Sequence, residues 1–248
     1  MVTRKSESQI AIMRRAGRVV AEMHDAAQAL ARPGVTTETI DRSCREVLER
    51  RGARSNFLGY HGFPAVACIS VNEEVVHGIP GSRRLVEGDL VSIDCGAIID
   101  GWHADAATTI GVGSVSAEDE RLMAVTQAAL AASIEQCHEG RTLGDLGAAS
   151  MAVVRSAGFD YLREYTGHGI GTAMHEPPDI PNYGRAGRGM RFKVGHVFAI
   201  EPMVTAGKAH VVTLDDDWTV VTADGSKAAH FEHTVAITEL GPEVLTRP

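Results

Sequence analysis

Between Ser8 and Ala31 apolar residues recur at steps of three and four, at Ile12, Ala16, Val19, Val20 and Met23, until Pro33-Gly34 ends the run. That spacing lays one apolar stripe along a helix. The stretch TTETIDRSCREVLERRG, residues 36–52, repeats the pattern, with Thr36 or Thr37 placed to cap the first turn and Gly52 to stop the last. After Gly52 the texture changes to short β-rich runs, AVACISV, DLVSIDCGAI and ADAATTIGVG, separated by turn residues. A third helix is expected over AEDERLMAVTQAALAASIEQCHEG from about residue 117, with acids in its first turn, and a weaker fourth over TLGDLGAASMAVVRSAGF. Short strands return from about Gly167 to the end.

Helices followed by strands, twice in one chain, point to an internal duplication. VEGDLVSID (86–94) lies over KVGHVFAIE (193–201) with Gly88 on Gly195, Ile93 on Ile200 and Asp94 on Glu201. HADAATTI (103–110) lies over HFEHTVAI (230–237), matching Asp105 to Glu232, and VHGIP around His77 resembles GHGIG around His168. The expected architecture is α+β: one domain over residues 1–248 whose pseudo-symmetric halves, about 1–115 and 116–248, each pack helices on an antiparallel sheet.

Composition narrows the chemistry. With 248 residues, 44% hydrophobic and 23% charged, the chain can bury a large core. A net charge of −8, without any basic block, argues against a sequence-independent grip on nucleic acid or an anionic membrane. Cys44, Cys68, Cys95 and Cys137 are widely spaced with no C-x-x-C pair, which suits reduced thiols, and no window approaches the roughly 18 apolar residues of a membrane span. A cytoplasmic protein is expected.

Asp94 and Glu201 interrupt runs that otherwise read as buried strands, and Asp105 and Glu232 occupy matching places in the two halves. A buried carboxylate needs a partner or loses its charge. One such acid is commonly an ion pair; four at symmetric positions, with no arginine cluster nearby, predict a cavity that takes divalent cations, two of them balancing four charges at a separation of about 3.5–4 Å. His168 is the natural nitrogen ligand of such an oxygen-rich site. His24 and His138 are expected on helices, and His233 should point away from Glu232 because neighbours alternate on a strand. His103 shares the parity of Asp105, which fits either a supporting place beside the acids or a solvated strand end. MHEPP fails as a zinc-protease motif because position 179 is Asp and Pro177-Pro178 forbids the helix. GHGIG and GVGSVS do not complete a phosphate-binding glycine pattern. Cys68 reads as plain packing more readily than as a nucleophile.

In order along the chain, VVHGIP, SIDCGAIIDGWHAD, TGHGIGTAMHEPP, FAIEPM and FEHT resemble the motifs of the methionine aminopeptidases, over about residues 5–240. The resemblance implies the pita-bread fold and metal ligation by Asp94, Asp105, His168, Glu201 and Glu232. It implies two divalent ions per chain, Co²⁺, Mn²⁺, Fe²⁺ or Zn²⁺, with Glu201 also shuttling a proton and His77 and His175 acting on the substrate. The substrates implied are peptides and nascent chains with an N-terminal methionine and a small second residue. By similarity the methionine pocket includes Tyr60, Phe63, Cys68, His77 and Trp218. Glu201 and Glu232 stand only 31 positions apart, which leaves no room for the helical insertion of type II enzymes, and no zinc-finger extension is expected. The short bacterial type I form is the better match, and it implies a monomer whose task favours the ribosome. Two departures are Met174, where the family pattern has an aromatic residue, and Phe63, where it often has tyrosine.

Overall fold

The computed structural model describes residues 2–247. Its first half begins with helices α1 (Glu7–Leu30) and α2 (Thr37–Arg51). Ser6 and Gln9 close a capping box at the start of α1, Thr36 caps α2, and Gly52 ends α2 in the left-handed conformation that only glycine adopts without strain. Ala16, Val20 and Met23 of α1 and Ile40, Cys44 and Val47 of α2 bury their apolar stripes together against Ile69, Ile93, Cys95 and Ala106. Each fully buried aliphatic side chain there contributes about 1.5–3 kcal/mol. The residues beneath the helices belong to three antiparallel strands: β1 (Ala67–Val71), β2 (Leu90–Ile99) and β3 (Trp102–Gly111), with β2 between the other two.

The second half repeats the plan. Helices α3 (Ala117–Ile134) and α4 (Leu143–Ser156) cover a five-stranded sheet built from β4 (Gly167–Gly169), β5 (Glu176–Ile180), β6 (Val197–Ile200), β7 (His233–Thr238) and β8 (Gly241–Val244), in the spatial order β8, β7, β6, β4, β5. Leu122, Leu130, Leu146, Phe192, Phe198 and Ile237 fill the layer between them. Helix α3 stops six residues earlier than the periodicity suggested, and His138 lies in the turn beyond it rather than on the helix. The chain must reverse there to reach the cap of α4 at Thr142, and Gly140, at φ 86°, supplies the bend. The strand beside β6 is β4, carrying His168, whereas the strand in the same place beside β2 is β1, carrying Cys68. His77 instead follows the strand Glu74–Val76, which pairs with Val220–Thr222. The short match of VHGIP to GHGIG was therefore not a structural equivalence; glycine and isoleucine are too common for five residues to establish one.

Strand β3 meets the start of β7 along a seam held by two threonines. The Thr234 hydroxyl accepts from the Asp105 N–H at 3.0 Å and donates to the Asp105 carbonyl at 2.8 Å. Thr109 does the same for His230, at 2.8 Å to both N–H and carbonyl, and the Glu232 N–H donates to the Ala107 carbonyl at 2.9 Å. A hydroxyl can donate and accept at once, so each threonine satisfies a backbone pair of the other half. Asp105 and Glu232 are thereby brought face to face. Thr234→Val keeps the shape but strands two buried backbone groups, and is expected to lower unfolding free energy by about 2–4 kcal/mol, read from the urea midpoint. No helix among the described residues is long and apolar enough to cross a membrane.

Candidate functional site

Asp94 lies on β2 opposite Ala107, and Asp105 lies on β3 opposite Gly96. In the second half Glu201 directly follows β6 and Glu232 directly precedes β7, extending the Ile200–His233 pair by one step. His168 sits at the centre of β4, beside Ala199. The glycines on either side allow this approach: a Cβ at Gly167 would stand 2.3 Å from the Ala199 carbonyl oxygen, and one at Gly169 would stand 2.4 Å from that of Pro177. The strands therefore deliver all five side chains to one cavity of about 160 Å³. One ligand atom from each of Asp105, His168 and Glu232 lies within 4.8 Å of the others.

Among the described residues, no lysine or arginine lines this cavity. Asp94 Oδ1, Asp105 Oδ1 and Glu232 Oε1 are buried and have no hydrogen-bond partner. Burial pushes the Asp94, Asp105 and Glu232 carboxyls well above the usual carboxylate range, and the negative charges of their neighbours push them further. Burial likewise raises Glu201 to about 8. A cluster of buried acids whose charges disfavour one another, three of them with an oxygen that has no partner, has the chemistry of a cation site. His168 completes it. Its Nδ1 lies 2.9 Å from the Gly169 carbonyl, which can only accept, so Nδ1 carries the proton and Nε2 keeps a lone pair, 3.6 Å from Glu201 Oε1. Burial and the neighbouring His175 lower its pKa to about 3, so the ring is neutral.

Beside the acids lies an apolar chamber formed by Phe57, Phe63, Ala65, Cys68 and Met174, with Tyr60 and Trp218 packed against them. Phe63 meets Trp218 edge to face at 5.0 Å. Trp218 is fixed from behind: Asp216 accepts the N–H groups of Trp218 and Thr219 at 2.9 and 2.7 Å. Burial, then the charges of Asp94 and Asp105, raise the Cys68 thiol well above its ordinary value, so it is a neutral wall residue and no nucleophile. Two imidazoles edge the chamber. The Tyr60 hydroxyl lies 2.8 Å from His175 Nδ1. His77 is held at φ 59°, a conformation that costs a non-glycine residue about 1–3 kcal/mol and is characteristic of functional positions. Burial, followed by the nearby His230 and His175, lowers its pKa to about 4.

Every site residue named from the sequence, from Tyr60 to Glu232, lines this cavity, joined by Phe57, His61 and Met174. Met174 therefore takes a place in the apolar wall. His233 turns away, its Nδ1 on the Thr246 hydroxyl at 2.9 Å, facing a separate polar cavity shared with His24. His103 does not line the cavity; its N–H donates to the Gly171 carbonyl at 2.8 Å. His230 escaped the sequence reading. It is buried, with Nε2 3.5 Å from Glu201 Oε2. Its place two residues before Glu232 was the available signal, since alternate residues of an extended chain share a side.

The sequence pattern of metallopeptidase family M24 matches residues 11–239. Over 246 residues the chain is 47% identical to a methionine aminopeptidase of Clostridium perfringens, covering 99% of each. It is also 47% identical to methionine aminopeptidase 1 of Bacillus subtilis over 247 residues, 100% of each. The crystal structure of methionine aminopeptidase from Thermotoga maritima aligns with a TM-score of 0.98 at 41% identity, with 100% of both chains covered.

Proposed function

The chain belongs to metallopeptidase family M24, and on that premise we propose that it removes the N-terminal methionine from peptides and nascent chains whose second residue is small. The observation that carries this reading is the adjacency of four convergent carboxylates, one imidazole and an apolar chamber within one cavity. Asp94, Asp105, His168, Glu201 and Glu232 would hold two divalent ions. An oxygen-rich donor set with one imidazole suits Mn²⁺, Fe²⁺, Co²⁺ or Zn²⁺. Bound there, the ions supply Lewis acidity, polarising a carbonyl and bringing the pKa of water toward about 7.

The chain's own residues do the rest. The substrate side chain enters between Phe63, Cys68, Met174 and Trp218, where aromatic edges and sulfur favour a thioether. Glu201, flanked by the Nε2 atoms of His168 and His230, takes a proton from the attacking water and passes it to the leaving nitrogen. Tyr60 donates its hydroxyl proton to His175 Nδ1, which leaves Nε2–H to donate to the scissile carbonyl oxygen as negative charge develops on it. His77, neutral and fixed in place, faces the scissile nitrogen.

His175→Ala is expected to lower kcat by about 10²–10³ while bound metal is retained, because the variant loses an oxyanion donor and no ligand. Metal loss in that variant would make His175 a ligand instead. Specificity is tested by supplying Met-Ala-Ser and an X-Pro peptide to the Mn²⁺-loaded protein. Methionine release from the first and an intact second peptide are expected; the reverse pattern would assign a proline-directed aminopeptidase.

A further inference from the structure

Directly after His175 stands a carboxylate that the reaction above does not use. Glu176 Oε2 accepts from Lys5 Nζ and from the Thr3 hydroxyl, each at 2.8 Å. Its Oε1 accepts the backbone N–H groups of Thr172 and Ala173 at 2.8 and 3.4 Å, and the Thr172 hydroxyl at 3.5 Å. Burial alone would raise its pKa, yet the bonds from Lys5 and Thr3 hold it below the ordinary value. The Lys5 side chain is only 4% exposed, and its ammonium also donates to the Thr3 hydroxyl at 2.7 Å, so the three side chains form one closed set of contacts.

The surroundings are cut to fit the pair. A Cβ at Gly171 would stand 2.4 Å from Glu176 Oε1 and 2.6 Å from Lys5 Cε, and a Cβ at Gly195 would stand 2.7 Å from the Lys5 carbonyl oxygen. Lys5 also donates its backbone N–H to the Gly195 carbonyl at 2.7 Å, and Arg4 Nε donates to the Val194 carbonyl at 2.7 Å. That turn leads straight into β6 and so to Glu201. The loop between Gly171 and Glu176, which carries His175, gives the N–H groups of its exposed tip, Thr172 and Ala173, to Glu176.

We propose that Lys5 and Glu176 form a clamp that positions His175 relative to Glu201, by tying the His175 loop and the turn before β6 to one N-terminal segment. The proposal rests on the role given to His175 above. Displacing a group by about 1 Å from its productive position costs on the order of 10² in rate, so a clamp of this kind acts on kcat.

The test is a set of variants assayed for kcat and KM on Met-Ala-Ser, with Mn²⁺ affinity from calorimetry on metal-depleted protein and folding from circular dichroism. Lys5→Met and Glu176→Gln are each expected to lower kcat about tenfold or more, with KM and Mn²⁺ affinity unchanged. The double variant is expected to be no worse than the worse single, Lys5→Arg to recover part of the loss, and neither change to lower kcat further in a His175→Ala background. Thr3→Val, at an exposed position, removes one donor to Glu176 without burying a charge and is expected to show a smaller loss of the same kind. Full kcat in the folded clamp variants beside a crippled His175→Ala overturns the clamp alone, as does an equal loss with His175 already removed. A fully active His175→Ala overturns the role of His175 and the clamp with it.

Discussion

Glu201→Gln is expected to reduce methionine release by about 10²–10⁴, the contribution of a positioned proton-transfer group, with the protein still folded. Glutamine preserves the shape and can sit between His168 and His230, whose Nε2 atoms lie 3.6 and 3.5 Å from the two carboxylate oxygens. It cannot accept a proton, and it is a weaker ligand. The same change is expected to raise the urea midpoint of metal-free protein at neutral pH, because it removes an acid that burial raises to about 8 in the fold and that the unfolded chain ionises near pH 4. Activity lost and stability gained would separate a catalytic carboxylate from a structural one. A variant that loses stability in the metal-free state would place Glu201 in the scaffold.

Asp105→Asn is expected to abolish activity by weakening metal binding, since Asp105 converges with His168 and Glu232 in a group that could hold a metal ion. Its effect on metal-free protein follows from the sign of the shifts. Asp94, Asp105 and Glu232 keep their protons in the fold far above the usual range, and Glu201 does so to about 8, while in the unfolded chain all four ionise near pH 4. The fold therefore binds more protons than the unfolded chain, and stability falls as pH rises through this window, by about 1.4 kcal/mol per pH unit for each carboxyl still protonated. The buried imidazoles act oppositely, mainly below about pH 6.5, where the unfolded chain takes up their protons: His24, His77, His196 and His233 are lowered to about 4, and His168 and His230 to about 3. Between pH 7 and 8 that opposing effect fades and the acids dominate. Metal-free protein is expected to lose stability across that interval, Mn²⁺ to remove the loss, and Asp105→Asn to reduce it. A flat profile without metal would show that the acids are not held protonated together.

The convergence of the acids could be read from residue order because their placement obeys local rules. Asp94 and Glu201 stood out as charges within strand-like runs, and Asp105 and Glu232 by their matching places in the two halves, because alternation and burial act on each strand separately. The helix caps at Thr36 and Gly52 were equally local. What could not be read depends on the packing of distant segments. The threonine seam between β3 and β7, the approach of His230 to Glu201, and the hold of Lys5 on the loop beyond His175 join residues far apart in sequence. The early end of α3 is of the same kind, since tertiary need for a turn overrode a favourable helical pattern. Met174, which the motif comparison marked as a departure, proved to lie in the apolar wall, where methionine replaces an aromatic residue with another polarizable apolar surface.

The most direct experiment strips the protein of metal with a chelator and titrates Mn²⁺ back in a calorimeter, with methionine release from Met-Ala-Ser followed in parallel. Metal-free protein should be inactive, should bind two ions per chain, and should recover activity as they bind, whereas Asp105→Asn should neither bind normally nor recover. Methionine release from fully metal-free protein, or unimpaired binding by Asp105→Asn, would contradict a metal-dependent reaction at this cavity.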